Sequence, residues 1–346
     1  SKNNSVTSIN SQDLQEVLTY TSAVLGSTYG LEDDFAFNFL PGGYENGKES
    51  LFAVQYSVDD GTQYGSLNWG DVLSTPQKLG CCDFHKPSQN LVNAFKTING
   101  LPDFDNFNNN DYNAANDKAD PRLFHTVALP GLPYKYNADL IYKNDWNRNS
   151  NVYGFYASLK ENVDPSCSCF RNINPFRGNS KNRIVIRYAD VLLMRAEALI
   201  ELNRSNEALP LINQVRQRAK QSTSMIPYAT NADIALYQDG VNITWNQENA
   251  RKALRWERRL EFAMEGSRFF DLVRWGIADQ VLNDYFTKEK TRRPAIFSSA
   301  YFTKNKNEYI PIPQKYAGKE MFLGSVTDPY NPQEKKYERT RTLLQE

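Results

Sequence analysis

The densest concentration of groups able to do acid–base chemistry is the run Glu257, Arg258, Arg259, Glu261, Glu265, Arg268, Asp271 and Arg274. Glu257 and Glu261 stand four residues apart, as do Glu261 and Glu265, a spacing that shares one helical face. Two carboxylates about 5–9 Å apart can hydrolyse a glycosidic bond, one giving a proton and the other acting as nucleophile or base. A general acid must keep its proton near neutral pH, whereas neighbouring guanidiniums favour the ionised form. Because arginines intersperse these acids, the run predicts a salt-bridge lattice that stitches helices together. Glycoside hydrolysis through Glu257 and Glu261 is the weaker alternative.

Other catalytic chemistries lack their residues. His85 and His125 are far apart, and neither sits in an HExxH-like spacing, so no metal or nucleophilic site is expected of them. No GxGxxG or Walker-type loop appears, and the chain carries no cofactor fingerprint. Asp103 to Asp120 is dense in Asn and Asp without EF-hand spacing, which reads as a solvated loop. Cys81 with Cys82, and Cys167 with Cys169, are spaced too closely for a zinc ribbon or a CxxC motif. Two disulfides between the pairs and a reduced pair in a loop both fit. Lys plus Arg and Asp plus Glu number 40 each, so no net field recruits nucleic acid or anionic lipid.

The remaining chemistry is recognition. Trp69, Tyr112, Tyr134, Tyr136, Tyr142, Trp146, Tyr153 and Tyr156 fall in stretches rich in Asn, Asp and Gly rather than in apolar runs. Sugar rings offer C–H faces and hydroxyl edges, so their receptors need flat rings flanked by amide, carboxylate and guanidinium groups. Asn144, Asp145, Asn147 and Arg148 supply such groups beside Trp146. The alternative is that these rings pin long loops to the body.

These residues must be positioned by two kinds of element. Leu14, Val17, Leu18, Ala23 and Val24 predict a helix over Gln12 to Leu25, ending near Gly26 and left with nothing to pack against. Residues 31–180 are loop-rich with short strands such as Ser50 to Val58, and Ser88 is placed to cap a helix reaching Phe95. After Arg183 the period becomes helical. Leu192, Leu193, Ala196, Leu199 and Ile200 form one stripe and Ala208, Leu211, Ile212 and Val215 a second, a hairpin spaced like a tetratricopeptide (TPR) unit. Pro210 predicts that the second helix begins late or bends. A third helical stretch runs from about Gln247 to Met264, stops at Gly266 and restarts through Arg268 to Trp275. Tyr309 to Pro313 is a proline-fixed strap. One TPR unit cannot bury both its faces, so the sequence reads as a fragment of a longer solenoid.

Several segments, in order, resemble the SusD/RagB family of outer-membrane nutrient-binding lipoproteins. They are Tyr29-Gly30-Leu31; the strand Lys48 to Tyr56, with Lys where the family usually has Asn; the helix Pro87 to Phe95; Asp120-Pro121-Arg122; Arg187 to Ala198; Glu257 to Gly276; and Tyr309 to Pro313. The resemblance implies a mainly α, SusD-like fold of TPR-like hairpins with a loop-rich region containing short β-strands. It divides the chain into the end of a TPR-like unit (1–30), a loop-rich ligand-binding region (31–180), a TPR-like hairpin (181–221) and C-terminal helices with the strap (222–346). It further implies a surface-exposed outer-membrane lipoprotein without catalytic activity. Such a protein binds oligosaccharide, starch-like or otherwise, for a SusC-like TonB-dependent transporter, with peptide capture of the RagB kind as the alternative. Only the C-terminal two thirds of a typical member is matched, so membrane attachment would come through an N-terminal lipid anchor absent from this chain. By region and chemistry, Trp69, Tyr134, Tyr136, Trp146, Asn144 and Arg148 are the expected ligand contacts.

Overall fold

An amphipathic helix is held mainly by the apolar stripe it buries, so the partners of each stripe define the scaffold. The computed structural model describes residues 8–310 except 64, 81, 174 and 175, together with the strands Met321–Phe322 and Arg341–Thr342. Ten α-helices occur among the described residues, besides short 3-10 turns: α1 (Ser11–Leu25), α2 (Gln89–Ala94), α3 (Arg122–Thr126), α4 (Ser150–Tyr153), α5 (Tyr188–Glu201), α6 (Ser205–Gln221), α7 (Gln247–Glu261), α8 (Arg268–Arg274), α9 (Ala278–Arg292) and α10 (Pro294–Phe297). The fold is thus mainly helical with short strands, as the sequence predicts. Of the strap, Pro311 to Pro313 lie outside the described residues.

The helix α1 starts where the Asn10 side chain accepts from the Gln12 amide and stops at Gly26. It does find a partner. Leu18 is buried in the same core as Leu192, Ala196 and Leu199 of α5, and Arg195 donates to the Leu18 carbonyl at 2.8 Å. On the other side α5 packs Leu193 and Ile200 into a core with Ala208, Ile212 and Val215 of α6 and Ala250, Ala253 and Leu254 of α7. Each large aliphatic side chain in this core contributes about 1.5–3 kcal/mol. Pro210 neither delays nor ends α6, which begins at Ser205. Pro210 and Asn206 are both exposed, so water can serve the carbonyl that the proline leaves unbonded. The helix α7 ends at Glu261, short of Met264, because Met264 (φ 66°) and Gly266 (φ 94°) turn the backbone left-handed.

Residues 31–180 contain short helices and small antiparallel ribbons instead of long elements. The predicted strand is shorter than expected, covering Ser50–Val54, and it pairs with Arg183–Arg187 in the register Ser50 to Arg187 and Ala53 to Ile184. Serine 88 caps α2 by accepting from the Leu91 amide. Cys167 bonds to Cys169 and Cys82 is also disulfide-bonded, which replaces both sequence expectations, bridges between the pairs and reduced thiols.

The loop region and the helices meet at a buried ionic lattice. Arg122, anchored on Asp120 at 2.7 Å, reaches Glu257 at 2.6 Å and Glu261 at 2.9 Å. Glu261 also accepts from Arg187 and from Arg218, and both arginines bond Glu49 at 2.7 Å. Arg216 completes Glu257 at 3.1 Å, and Lys160 and Arg187 hold Glu265 at 2.7 and 3.0 Å. Five carboxylates (Glu49, Asp120, Glu257, Glu261, Glu265) thus face five cations (Arg122, Lys160, Arg187, Arg216, Arg218), so the lattice is neutral overall. Burial alone would raise the Glu261 carboxyl, yet Arg218, Arg187 and Arg122 together hold it well below the usual carboxylate range. A carboxylate so fixed cannot lend a proton at neutral pH. The lattice reading of the acid–arginine run therefore stands on geometry.

His125 is buried beside this lattice. Its Nε2 bonds the Ser222 carbonyl at 2.8 Å and its Nδ1 lies 3.1 Å from the Tyr136 hydroxyl, an arrangement that suits a neutral ring donating from Nε2. Burial lowers its pKa to about 4, from an ordinary value of about 6.5. A buried neutral histidine contributes stability that is full above the ordinary value and is lost as pH falls toward the folded value. The expected loss between pH ~6.5 and ~4 is about 3 kcal/mol. Thermal melts across that range should flatten in His125→Gln, which keeps a donor for Ser222; an unchanged slope would remove His125 from the account.

Candidate ligand-binding site

The expected contact residues separate into three groups. Tyr134 (0% exposed) and Trp146 (4%) are core, packed with Tyr142, Ala128, Ala157 and Leu159. Trp146 meets the Tyr134 and Tyr142 rings edge-on at 5.5 and 5.4 Å. Their assignment as ligand platforms is corrected, because loops too irregular to show a period bury their aromatics in a small core of their own. Tyr136 is half-buried and tied to His125. Trp69 and Asn144 are exposed but line no concavity described here. Arg148 does.

Arg148 belongs to a basin of about 330 Å³, at the lower end of the ~300–1,000 Å³ usual for ligand pockets. Four pieces of chain build it: the turn Asp83–Ser88, the start of α2, the stretch from Arg148 to Tyr153, and α9 with α10. The turn is held by the Phe84 amide, which donates to the Leu73 carbonyl at 2.8 Å. Asp83 accepts from the Arg148 amide at 2.6 Å and from Lys86 at 2.5 Å, and Lys86 also reaches Asn147 at 2.5 Å. Asn147 in turn donates to the Tyr142 hydroxyl at 2.6 Å. The aromatic core therefore positions the basin without lining it. Burial pushes the Asp83 carboxyl up and the Lys86 ammonium down, as desolvation does to any charge taken from water.

On the far wall Tyr285, Glu289 and Arg293 follow each other at four-residue spacing, one stripe of α9 and its end. Tyr285 and Phe286 pack on Phe297 of α10 at 5.7 and 6.0 Å, which fixes that wall. Pro294 opens α10 where a missing amide is harmless. Phe84 (62% exposed) and Tyr153 (48%) present rings to solvent at the rim, with the Arg148 guanidinium stacked 4.6 Å from the Phe84 centroid. His85 lies in the same turn and bonds Glu161 at 2.8 Å, a contact that raises its pKa and moors the turn to the body.

Sequence reasoning missed Phe84, Tyr285, Arg293 and Phe297. Val281, Leu282, Tyr285 and Phe286 carry a helical spacing that would have revealed α9. Phe84 carries no such signal, since only the fold brings it to Arg148. What the basin can do chemically is bind: it joins open rings to amide, hydroxyl, carboxylate and guanidinium groups.

Comparison with known proteins agrees with this architecture. The SusD family model matches residues 48–319. A SusD-like protein of Formosa agariphila is 35% identical over 160 residues, which is 44% of this chain and 28% of that protein. A second from the same organism is 38% identical over 111 residues, 32% of this chain and 20% of the other. Among solved structures, a SusD-like carbohydrate binding protein from Bacteroides fragilis aligns with a TM-score of 0.59 at 24% identity, over 79% of this chain and 50% of that one. A SusD superfamily protein from Bacteroides vulgatus gives 0.57 at 24% identity, over 88% and 57%. At these identities the structural likeness is one of fold, and the chain spans about half the length of the structures it matches.

Proposed function

Because the chain belongs to the SusD family, we propose that it is a non-catalytic receptor that binds oligosaccharide at the outer face of the cell, in the basin between the Asp83–Ser88 turn and α9–α10. The observation that carries this reading is the rim, where Phe84 and Tyr153 are open to solvent beside the polar groups of the basin. A sugar ring laid on such a face buries its C–H surface, while its hydroxyls meet donors and acceptors already in place. Handover to a SusC-like TonB-dependent transporter, with a lipid anchor holding the receptor at the outer membrane, follows from the family resemblance. The carbohydrate-binding relative from Bacteroides fragilis supports the ligand class by analogy of fold alone.

Calorimetry against a panel of oligosaccharides tests the reading. At least one should bind saturably, and Phe84→Ala and Tyr153→Ala should each weaken it about tenfold. Both side chains are exposed, so melting temperatures should stay near the parent's. Saturable binding by no oligosaccharide, or affinities untouched by both substitutions, would remove the proposal.

A further inference from the structure

A guanidinium taken from water carries a fork of donors and a permanent charge, so partly buried arginines ordinarily end on carboxylates, as those of the lattice do. The basin departs from this. Its lining contains Lys86, Arg148 and Arg293 against Asp83 and Glu289. Asp83 is engaged by the Lys86 ammonium and the Arg148 backbone amide. Glu289 is engaged at 2.7 Å by Arg292, which lies outside the lining.

Lys86 pairs with Asp83, and Glu289 pairs with Arg292, which also bonds Asp111 at 2.6 Å outside the basin lining; Arg148 and Arg293 remain without an ion-pair partner among the described residues. Among the described residues the Arg293 guanidinium makes one hydrogen bond, to the Val152 carbonyl at 3.1 Å. The Nε of Arg148 is shielded from water and has no acceptor among the described residues.

We propose, resting on the oligosaccharide reading above, that the basin selects acidic glycans, whose carboxylate or sulfate ester groups pair with Arg148 and Arg293 while a sugar ring lies at Phe84 and Tyr153. A neutral sugar would cover two cations and return only hydroxyl contacts, leaving the charges desolvated without a counter-charge. An anionic substituent returns charge-assisted, in-plane hydrogen bonds to each fork. The selectivity is thus a property of the arginines and the stacking a property of the rings, and the two can be separated by experiment.

The whole chain is titrated calorimetrically with maltohexaose and xylohexaose as neutral probes, hexagalacturonate as the carboxylate probe and a carrageenan hexasaccharide as the sulfate probe, at low and high sodium chloride. An acidic probe should bind in preference to both neutral ones, and its affinity should fall about tenfold or more with salt as screening sets in. Arg148→Gln and Arg293→Gln should each weaken the acidic probe about 10–100-fold. Arg148→Lys, which keeps the charge without the fork, should recover part of the loss. Which acidic probe binds identifies the anion.

Binding confined to neutral probes, or acidic binding indifferent to salt and to both glutamine variants, overturns the acidic selectivity and leaves the oligosaccharide reading standing. If no probe binds, the underlying reading falls and this inference falls with it. The salt dependence is read on the unaltered protein, so the test does not depend on any variant folding.

Discussion

Replacing Glu261 with alanine is expected to lower the unfolding free energy by about 3–5 kcal/mol, measured by urea unfolding at neutral pH. Glu261 is fully buried and its two oxygens meet Arg122, Arg187 and Arg218. Removing it strands positive charge that water cannot reach, so the penalty is that of an uncompensated buried ion rather than of a lost surface pair. The pH dependence has a definite sign. The folded carboxyl is held below its ordinary range, so its contribution is complete above about pH 4.3 and fades only as pH falls through the depressed value. Acid loss from Glu261 therefore begins only at the acid end of the window in which His125 acts and continues below it. A loss under about 1 kcal/mol in the alanine variant would mean that the arginines relax onto other acceptors.

The lattice was legible because its members sit on regular elements. Four-residue spacing of Glu257 and Glu261 places both on one side of α7, although of the interspersed arginines Arg258 bonds Asp190 and Asp271 rather than these glutamates. The partners from elsewhere, Glu49, Arg122, Arg187, Arg216 and Arg218, could not be read from spacing, because contacts 41 to 169 residues apart leave no local trace. The helices α1, α5, α6 and α7 were legible for the same reason; the end of α7 fell short where Met264 turns left-handed, and Pro210 sits inside α6 without delaying its start. The site was less legible. Arg148 was found from composition, whereas its neighbours come from a turn and from α9, far away in sequence.

The two layers depend on one another. Arg122 and Lys160 carry the loop region onto α7, since Lys160 donates to the Glu261 carbonyl at 2.8 Å as well as to Glu265. The next residue, Glu161, holds His85, and so the turn that supplies Phe84. A rigid helical wall is thus transmitted to a rim built from irregular chain. Preorganisation of this kind lowers the ordering cost of ligand capture.

Trp146→Ala is expected to destabilise the protein by about 3–5 kcal/mol, the usual cost of deleting a buried aromatic ring. The indole is enclosed by Tyr134, Tyr142 and Leu159, so alanine leaves a cavity that two neighbouring rings cannot collapse to fill without leaving their own contacts. Trp146→Phe should cost much less, because the indole Nε1 has no hydrogen-bond partner among the described residues to lose. The contrast separates a core residue from a ligand platform. A platform residue would leave stability within about 0.5 kcal/mol and weaken binding directly. Here the melt should shift first, and any loss of oligosaccharide affinity should shrink in the phenylalanine variant, which keeps Asn147 and Arg148 in place. Were Trp146→Ala to melt like the parent while losing ligand, the ring would have to leave this core to reach a sugar, and the basin at Phe84 and Tyr153 would no longer be the place where binding is decided.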